Sequence, residues 1–423
     1  MAETSGRCSY FLDRKNRHCK VVAGKGRKYC GQHEYLFESN DTDLSKKRIV
    51  CPLDPAHSCY VNKLDKHLKK CNKRKASTPI PIYHKVDDNA DDKEPSNPVK
   101  ISDISDEELL SLIKKLEEIT SDVDVSLKVE HLESNSDAKD NFDTKHKLKH
   151  SNQVASIIGH LKNLSFLQSN ICFIEFGAGR GKLLRELTTA LVNATEKNEN
   201  CSYLMIDKSG QRHKFDNKLR REKGPLVKRI KIDIGNLLLD KLEMDKSKKI
   251  IVIGKHLCGS ATDLALKSVT NICDKTLVKG LVIALCCHHR CTWDSYVGKH
   301  FLEKFNIGSK EFSLMCAMSA WAICGKMPKF ADSDKGISSV KNTDDDYKDD
   351  NPAEAQNDHK PFKNRYERLD LSHEKREKIG QMVKRLINKG RLEFLIECSN
   401  FKCELKEYIS SNITLENVLL SCS

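Results

Sequence analysis

From about residue 151 the chain alternates short apolar runs with stretches whose apolar residues recur at helical spacing. The runs CFIEF (172–176), CSYLMID (201–207), VKRIKID (227–233), KIIVIG (249–254) and GLVIALC (280–286) are apolar or β-branched and read as strands. A helix over NQVASIIGHLKNLSFL leads into them, and helical stretches lie between most of them. That alternation predicts βαβ units and a largely parallel sheet. The pattern stops at 331–360, which is almost without apolar residues and reads as a disordered insertion. Beyond it, EKREKIGQMVKRLINKG predicts a helix closed by Gly390, RLEFLIEC a strand, and ITLENVLLSC another.

Upstream the pattern is poorer. Residues 76–146 are rich in Pro, Asp and Asn and read as a linker. Within it, SDEELLSLIKKLEEI has a capping box, Ser105 with Glu108 three residues on, followed by apolar residues at helical spacing. One isolated amphipathic helix is expected there. Residues 1–75 hold few large apolar side chains but many Cys, His, Lys and Arg, and divide into a knot over 1–40 and another over 46–75. Residues 147–423 form the α/β domain.

Charge sharpens this division. The formal net charge is +13, and +10 of it falls within residues 1–75. A basic excess gathered in one segment suggests an anionic polymer, RNA or DNA, as partner. No apolar run approaches the ~18 residues of a membrane span, and MAETSGRCSY lacks the features of a signal peptide. An intracellular soluble protein is expected, with nuclear or cytoplasmic residence left open. Thiols stay reduced in such compartments, so the 18 Cys suggest metal binding or catalysis before disulfides.

Two sets of metal-ligand type stand in the basic segment. The first is Cys8, Cys19, Cys30 and His33; the second is Cys51, His57, His67 and Cys71. Each supplies the four N or S ligands that a closed structural zinc site uses. His67 and Cys71 stand four apart, on one side of a helix, and Cys51 and His57 come from the loop or hairpin CPLDPAH before it. A segment this poor in core needs the roughly 10–16 kcal/mol of apparent folding energy that zinc provides in small fingers. Cys59 and His18 are spare candidates. The second set resembles the CHHC finger of the spliceosomal U11/U12 protein type, and the first a CCCH finger found at the start of a tRNA-modifying enzyme.

The run FIEFGAGRGKLL places Glu175 at a strand end, then Gly177, Gly179 and Gly181, then a helix. Glycines let the backbone turn tightly and approach a ligand with no Cβ in the way. The spacing E-x-G-x-G-x-G is not the dinucleotide fingerprint G-x-G-x-x-G; it resembles motif I of class I S-adenosylmethionine (SAM) methyltransferases. Asp207 ends the second strand, where an acid can accept from both ribose hydroxyls, and Asp233 ends the third, where a carboxylate can reach the adenine amine. Each Asp could instead be a helix cap or turn residue.

Ligands of open α/β sheets bind outside the carboxyl ends of the strands. The fourth strand delivers KHLCG there and the fifth delivers CCHHRC. Lys255, His256, His288 and His289 are therefore the candidates for handling a substrate proton, and Arg290 suits a phosphate. A metal reading of CCHHRC is weaker, because neighbours in a strand-to-loop segment point opposite ways and one ion cannot easily collect them; a partial site with Cys258 or Cys316 stays open.

Together the two knots, EFGAGRGKL, GKHLCGSATDLAL, ALCCHHRC and KRLINKGRLEFL resemble the eukaryotic tRNA acceptor-stem 2′-O-methyltransferases, over about 8–71, 147–325 and from 364 onward. The resemblance implies a class I SAM-methyltransferase Rossmann-like sheet of seven strands, one late and antiparallel, with helices on both faces. It implies SAM as cofactor, two structural zinc ions, and tRNA as partner, modified at the fourth nucleotide of the acceptor stem. Nothing implies a membrane or a protein partner. The Lys-Asp-Lys-Glu tetrad of some RNA 2′-O-methyltransferases is not visible in order. Other readings are a non-catalytic RNA-binding or splicing adaptor and a methyltransferase for another RNA or a protein; against N-methylation, GKHLCG stands where [DN]-P-P-[YF] is usual.

Overall fold

The computed structural model describes residues 6–12, 17–24, 26–30, 33–36, 48–71, 81–85, 98–132, 145–194, 200–210, 215, 217, 219, 221, 226–322 and 364–423. The insertion expected at 331–360 lies outside them. The chain divides into two compact units, Met1–Pro81 and Ile82–Ser423.

The first unit is almost all ligand and turn. Phe11–Leu12 pairs with Arg17–His18, and Arg48–Cys51 pairs antiparallel with Asp54–Tyr60 ahead of a one-turn helix, Leu64–Leu68. Among its described residues, an apolar cluster forms from three buried cysteines, Cys8, Cys19 and Cys30, with Tyr10, Leu12 and Tyr29 against them.

The second unit is built on an eight-stranded sheet. In chain order its strands are β1 (Lys128–Val129), β2 (Ile171–Phe176), β3 (Ser202–Asp207), β4 (Val227–Lys231), β5 (Lys249–Cys258), β6 (Val278–Cys286), β7 (Cys403–Glu407) and β8 (Val418–Cys422). Their spatial order is β1-β7-β8-β6-β5-β2-β3-β4. The five strands read from sequence pair parallel, and β8 runs antiparallel between β6 and β7. This is the expected Rossmann-like sheet with its late antiparallel strand, extended at one edge by the two-residue β1.

Both faces are buried, which explains the continuous apolar runs. Cys172, Ile174 and Phe176 of β2 enter one core, with Ala265, Leu266 and Val269 of helix α4 (Ser260–Thr270). Ile171 and Phe173 enter the other, with Ile157 and Leu161 of α2 (Lys145–Asn163) and Leu184, Leu187 and Leu191 of α3 (Lys182–Ala194). The chain passes from β2 outward through β3 and β4, then returns to lay β5 and β6 on the other side of β2. The crevice beyond the carboxyl ends of β2 and β5 is thus the switch point where such sheets bind ligands.

Four expectations are corrected. The helix α1 (Asp106–Asp122) is not isolated: Leu109, Leu112, Ile113, Leu116 and Ile119 share a buried cluster with Phe301, Phe312, Met315, Leu386 and Ile387. Its cap is as read, with Glu108 N donating to Ser105 Oγ at 3.1 Å, but the Glu108 carboxylate pairs with Lys310. Gly390 does not end a helix. The last helix runs unbroken from His373 to Cys398 (α6; α5 is Ser309–Ser319), and RLEFLIEC is its final turns. A Cβ on Gly390 would lie 2.1 Å from Tyr296 Oη, so glycine serves close packing there. The strand follows instead at CELKE, where Cys403 stands opposite Cys422 and is joined to it by a disulfide, against the expectation that thiols stay reduced.

Candidate active site and metal centres

The glycine loop opens directly from β2. Gly177, Gly179 and Gly181 have φ of +63°, +49° and +79°, a region L side chains rarely adopt. A Cβ on Gly177 would come within 2.9 Å of Leu257 Cδ2, whereas a Cβ on Gly179 would meet nothing closer than Gly177 O at 3.9 Å. The loop therefore backs onto the end of β5 and leaves free room in front of Gly179. Gly179 N donates to Asp207 Oδ2 at 2.7 Å, and Arg229 donates to Gly179 O at 2.9 Å, so two neighbouring strands hold the loop in shape. Glu175 is buried beneath it.

Asp207 ends β3 and Asp233 stands two residues past β4, and both already act as turn residues. Asp207 Oδ1 accepts from Ser209 N and Oγ, both at 2.8 Å, and Oδ2 accepts from Gly179. With about four acceptor sites on a carboxylate, it retains room for one hydroxyl rather than two. Asp233 caps the 3-10 turn Ile234–Asn236 through Gly235 N at 3.0 Å. Lys208, 2.7 Å away, together with that cap holds its carboxyl below the usual carboxylate range.

The basic cluster sits on a bulge. Ile283 pairs with Gly254 and Leu285 with Leu257, so β5 carries one extra residue where β6 has none. Bulges re-aim side chains and are common beside active sites. Here the bulge contains Lys255 and His256, and His256 takes the positive φ of +62°. Lys255 Nζ lies 3.1 Å from His150 Nδ1 and His256 Nε2 lies 3.4 Å from the same nitrogen. Burial, with Lys182 nearby, pushes the Lys255 pKa down to about 8, against the opposing charge of Glu175. His150 was missed in the sequence: it stands in a polar stretch, and only the folding of α2 across the end of β5 brings it in.

CCHHRC disperses. His288 is fully buried, with Nε2 2.8 Å from Asn388 Oδ1, and burial drives its pKa well below the usual histidine range. His289 is half-buried, with a pKa lowered by burial, and Arg290 is exposed. The loops after β5 and β6 touch through backbone: a Cβ on Gly259 would lie 2.4 Å from the Arg290 carbonyl, and Ser260 Oγ donates to Arg290 O at 3.2 Å. Beneath them Arg391 and Asp263, both without solvent exposure, pair through two hydrogen bonds of 3.0 and 2.7 Å, and Arg391 also reaches Cys291 Sγ at 3.1 Å. Cys258, Cys286 and Cys287 draw their sulfurs together. Cys287 is left-handed at φ +52°, so adjacent side chains converge and the premise that they must point apart does not hold.

The first unit gathers each expected set of four within 4.8 Å. Cys8 and Cys30 sulfurs approach His33 Nδ1 at 3.3 and 3.4 Å. In the second set Cys51 Sγ lies 3.7 Å from Cys71 Sγ and 3.1 Å from His67 Nε2, and His57 Nε2 lies 3.1 Å from His67 Nε2. Ligand atoms at about 2.0–2.3 Å from one tetrahedral zinc sit at such separations. Asp54 Oδ2, 3.2 Å from His57 Nδ1, fixes the ring so that Nε2 faces the site. Cys59 and His18 stay outside both sets.

Strand order, loop and knots together define the class of this protein, a methyltransferase of Rossmann-like fold preceded by zinc fingers. Residues 152–423 match the family described as Methyltransferase TRM13, residues 6–34 the CCCH zinc finger in TRM13 protein, and residues 48–72 the U11-48K-like CHHC zinc finger. The chain belongs to the TRM13 methyltransferase family. It is 36% identical to the human "tRNA:m(4)X modification enzyme TRM13 homolog" across 98% of this chain and 94% of that one. It is 29% identical to the Saccharomyces cerevisiae "tRNA:m(4)X modification enzyme TRM13", over 98% and 95%. Among solved structures, coclaurine N-methyltransferase bound to N-methylheliamine and SAH overlaps at a TM-score of 0.24 and 14% identity, over 42% of this chain and 50% of that one, too little to carry an argument. Among the described residues, no helix is long and apolar enough to cross a membrane.

Proposed function

We propose that this protein transfers a methyl group from SAM to the ribose 2′-hydroxyl of the fourth nucleotide of a tRNA acceptor stem. The observation that carries this reading is the meeting of the glycine loop with the bulge of β5. Leu257, whose Cδ2 would lie 2.9 Å from a Cβ on Gly177, is two residues from Lys255 and adjacent to His256. A nucleoside cradle and a basic cluster thus share one crevice. The names of the curated relatives support tRNA as the substrate, and the +10 charge of residues 1–75 suits a polyanion.

Gly177, Gly179 and Gly181 would admit the cofactor to the backbone, with Glu175 beneath and Asp207 and Asp233 toward the nucleoside. SAM, when bound, supplies an electrophilic methyl group. The chain's own task is then to align the hydroxyl, take its proton and hold the adjacent phosphate. Lys255 takes the proton. With a pKa of about 8, about a tenth of it is neutral at pH 7, whereas almost none of an unperturbed lysine is. His150 orients its Nζ, and His256 stands ready as a second acceptor through the same nitrogen. Exposed Arg290 takes the phosphate with its bidentate fork, and His289 lines the same rim. His288, among the initial candidates for the base, becomes a positioning residue that fixes the turn through Asn388.

The test is mass-spectrometric nucleoside analysis of tRNA incubated with the full chain and methyl-labelled SAM. A labelled 2′-O-methylnucleoside mapping to position 4 is expected. Label in a base or in protein would overturn the ribose assignment, and no transfer to any RNA would favour the non-catalytic adaptor.

A further inference from the structure

The three thiols at the ends of β5 and β6 have no part in methyl transfer as argued above. Cys258 and Cys286 are register partners on adjacent parallel strands, so their side chains emerge side by side, with sulfurs 4.0 Å apart. Cys287 would be carried to the far side in an extended chain. Its left-handed backbone, φ +52° and ψ +47°, turns it back instead. The three sulfurs then lie within 4.8 Å of one another. A non-glycine residue held there is strained and persists only where surrounding structure requires it.

We propose that Cys258, Cys286 and Cys287 bind a third zinc ion, inside the methyltransferase unit and separate from the two N-terminal fingers. Thiolates are soft ligands that favour zinc among common divalent cations. Zinc–sulfur bonds of about 2.3 Å at tetrahedral angles place sulfurs about 3.8 Å apart, close to the observed 4.0 Å. The Cys51–Cys71 separation in the CHHC finger is of the same kind, 3.7 Å. Cys286 is 4% exposed, while Cys258 and Cys287 are partly open to solvent. The ion therefore has a protein-bound floor of three sulfurs and a fourth position filled by water. It clamps the loop carrying Lys255 and His256 to the loop carrying His289 and Arg290, and it offsets the strain at Cys287.

The inference does not rest on the identity of the substrate, and its test reads metal rather than turnover. Zinc per chain is measured by inductively coupled plasma mass spectrometry on the purified full chain. Three ions are expected. Cys258→Ser and Cys287→Ser should each hold two, and Cys71→Ala should also hold two by loss of a different ion. Cadmium-exchanged wild-type protein provides a readout that needs no variant: three ¹¹³Cd resonances are expected. A wild-type content of two ions would overturn the proposal. So would a third ion that survives in both Cys258→Ser and Cys287→Ser, or a Cys258–Cys286 disulfide found by peptide mapping of the wild-type chain.

Discussion

Gly259→Ala tests whether the two loops must touch. Gly259 has φ +54° and ψ −123°, a combination essentially reserved for glycine, so alanine adds strain of about 1–3 kcal/mol. The new Cβ would also lie 2.4 Å from both the carbonyl carbon and oxygen of Arg290. That obstacle is backbone and cannot rotate away. To restore an ordinary contact of 3.4 Å, the Arg290 segment must retreat by about 1 Å, carrying His289 with it. A misplacement of that size can cost about 10²-fold in rate. Single-turnover methyl transfer to tRNA should therefore slow about 10²-fold. SAM affinity by calorimetry should change little, because the glycine loop is built on β2. The melting temperature should fall by a few degrees, as about 1–3 kcal/mol implies for a domain of this size. A variant that keeps the wild-type rate and melting point would refute the reasoning that backbone contact between these loops sets the site.

The base assignment gives a pH profile. A proton acceptor must be neutral, so the single-turnover rate should rise about tenfold per pH unit up to about pH 8 and level off above it, following the lowered Lys255 pKa. Lys255→Arg, always charged, should lose about 10²–10⁴-fold above pH 8, with the gap narrowing at lower pH and tRNA and SAM binding nearly intact; a profile unchanged in that variant would move the base elsewhere. Gly179→Arg should abolish SAM binding by calorimetry while zinc content is unchanged, because its side chain must enter the space open in front of Gly179. Asp263→Asn leaves the fully buried Arg391 without its counter-charge and should cost about 3–5 kcal/mol in urea unfolding. The double variant Asp263→Leu/Arg391→Met should cost less than either single change, and a larger cost would sink the account.

The five parallel strands were legible because a sheet buried on both faces leaves long apolar runs, as in Phe173 and Ile174, which point into opposite cores. The Cys and His groups that gather in each finger were legible for a different reason. Zinc ligation demands particular residue types, and so few groups can substitute that spacing alone almost fixes them. What misled was glycine at Gly390. A glycine after a helical run signals a cap, but the same residue also permits close approach. Only the tertiary partner, Tyr296 Oη at 2.1 Å from the ideal Cβ, distinguishes the two. The helix in the apparent linker failed similarly: its apolar stripe was visible, but Phe312 and Ile387, which cover it, lie some two hundred residues or more away.

The site was legible at the level of strand ends and illegible at the level of side-chain direction. Period-two alternation places neighbours on opposite faces, and on that rule Lys255 and His256 should diverge, as should Cys286 and Cys287. Each pair escapes the rule by a local break in the backbone, a bulge with His256 at φ +62° in the first case and a left-handed Cys287 in the second. Neither residue is glycine, so no residue type announces the turn. The breaks fall at the carboxyl ends of the adjacent strands β5 and β6, beside the switch point of the sheet, where strained conformations tend to be kept for function. His150 completes the pattern, since its contact with both bulge residues depends on the same break. If the bulge were ironed flat, alternation would separate Lys255 from His256 and at most one would face His150. The chemistry argued for this crevice therefore depends on the two backbone irregularities as much as on the residues they carry.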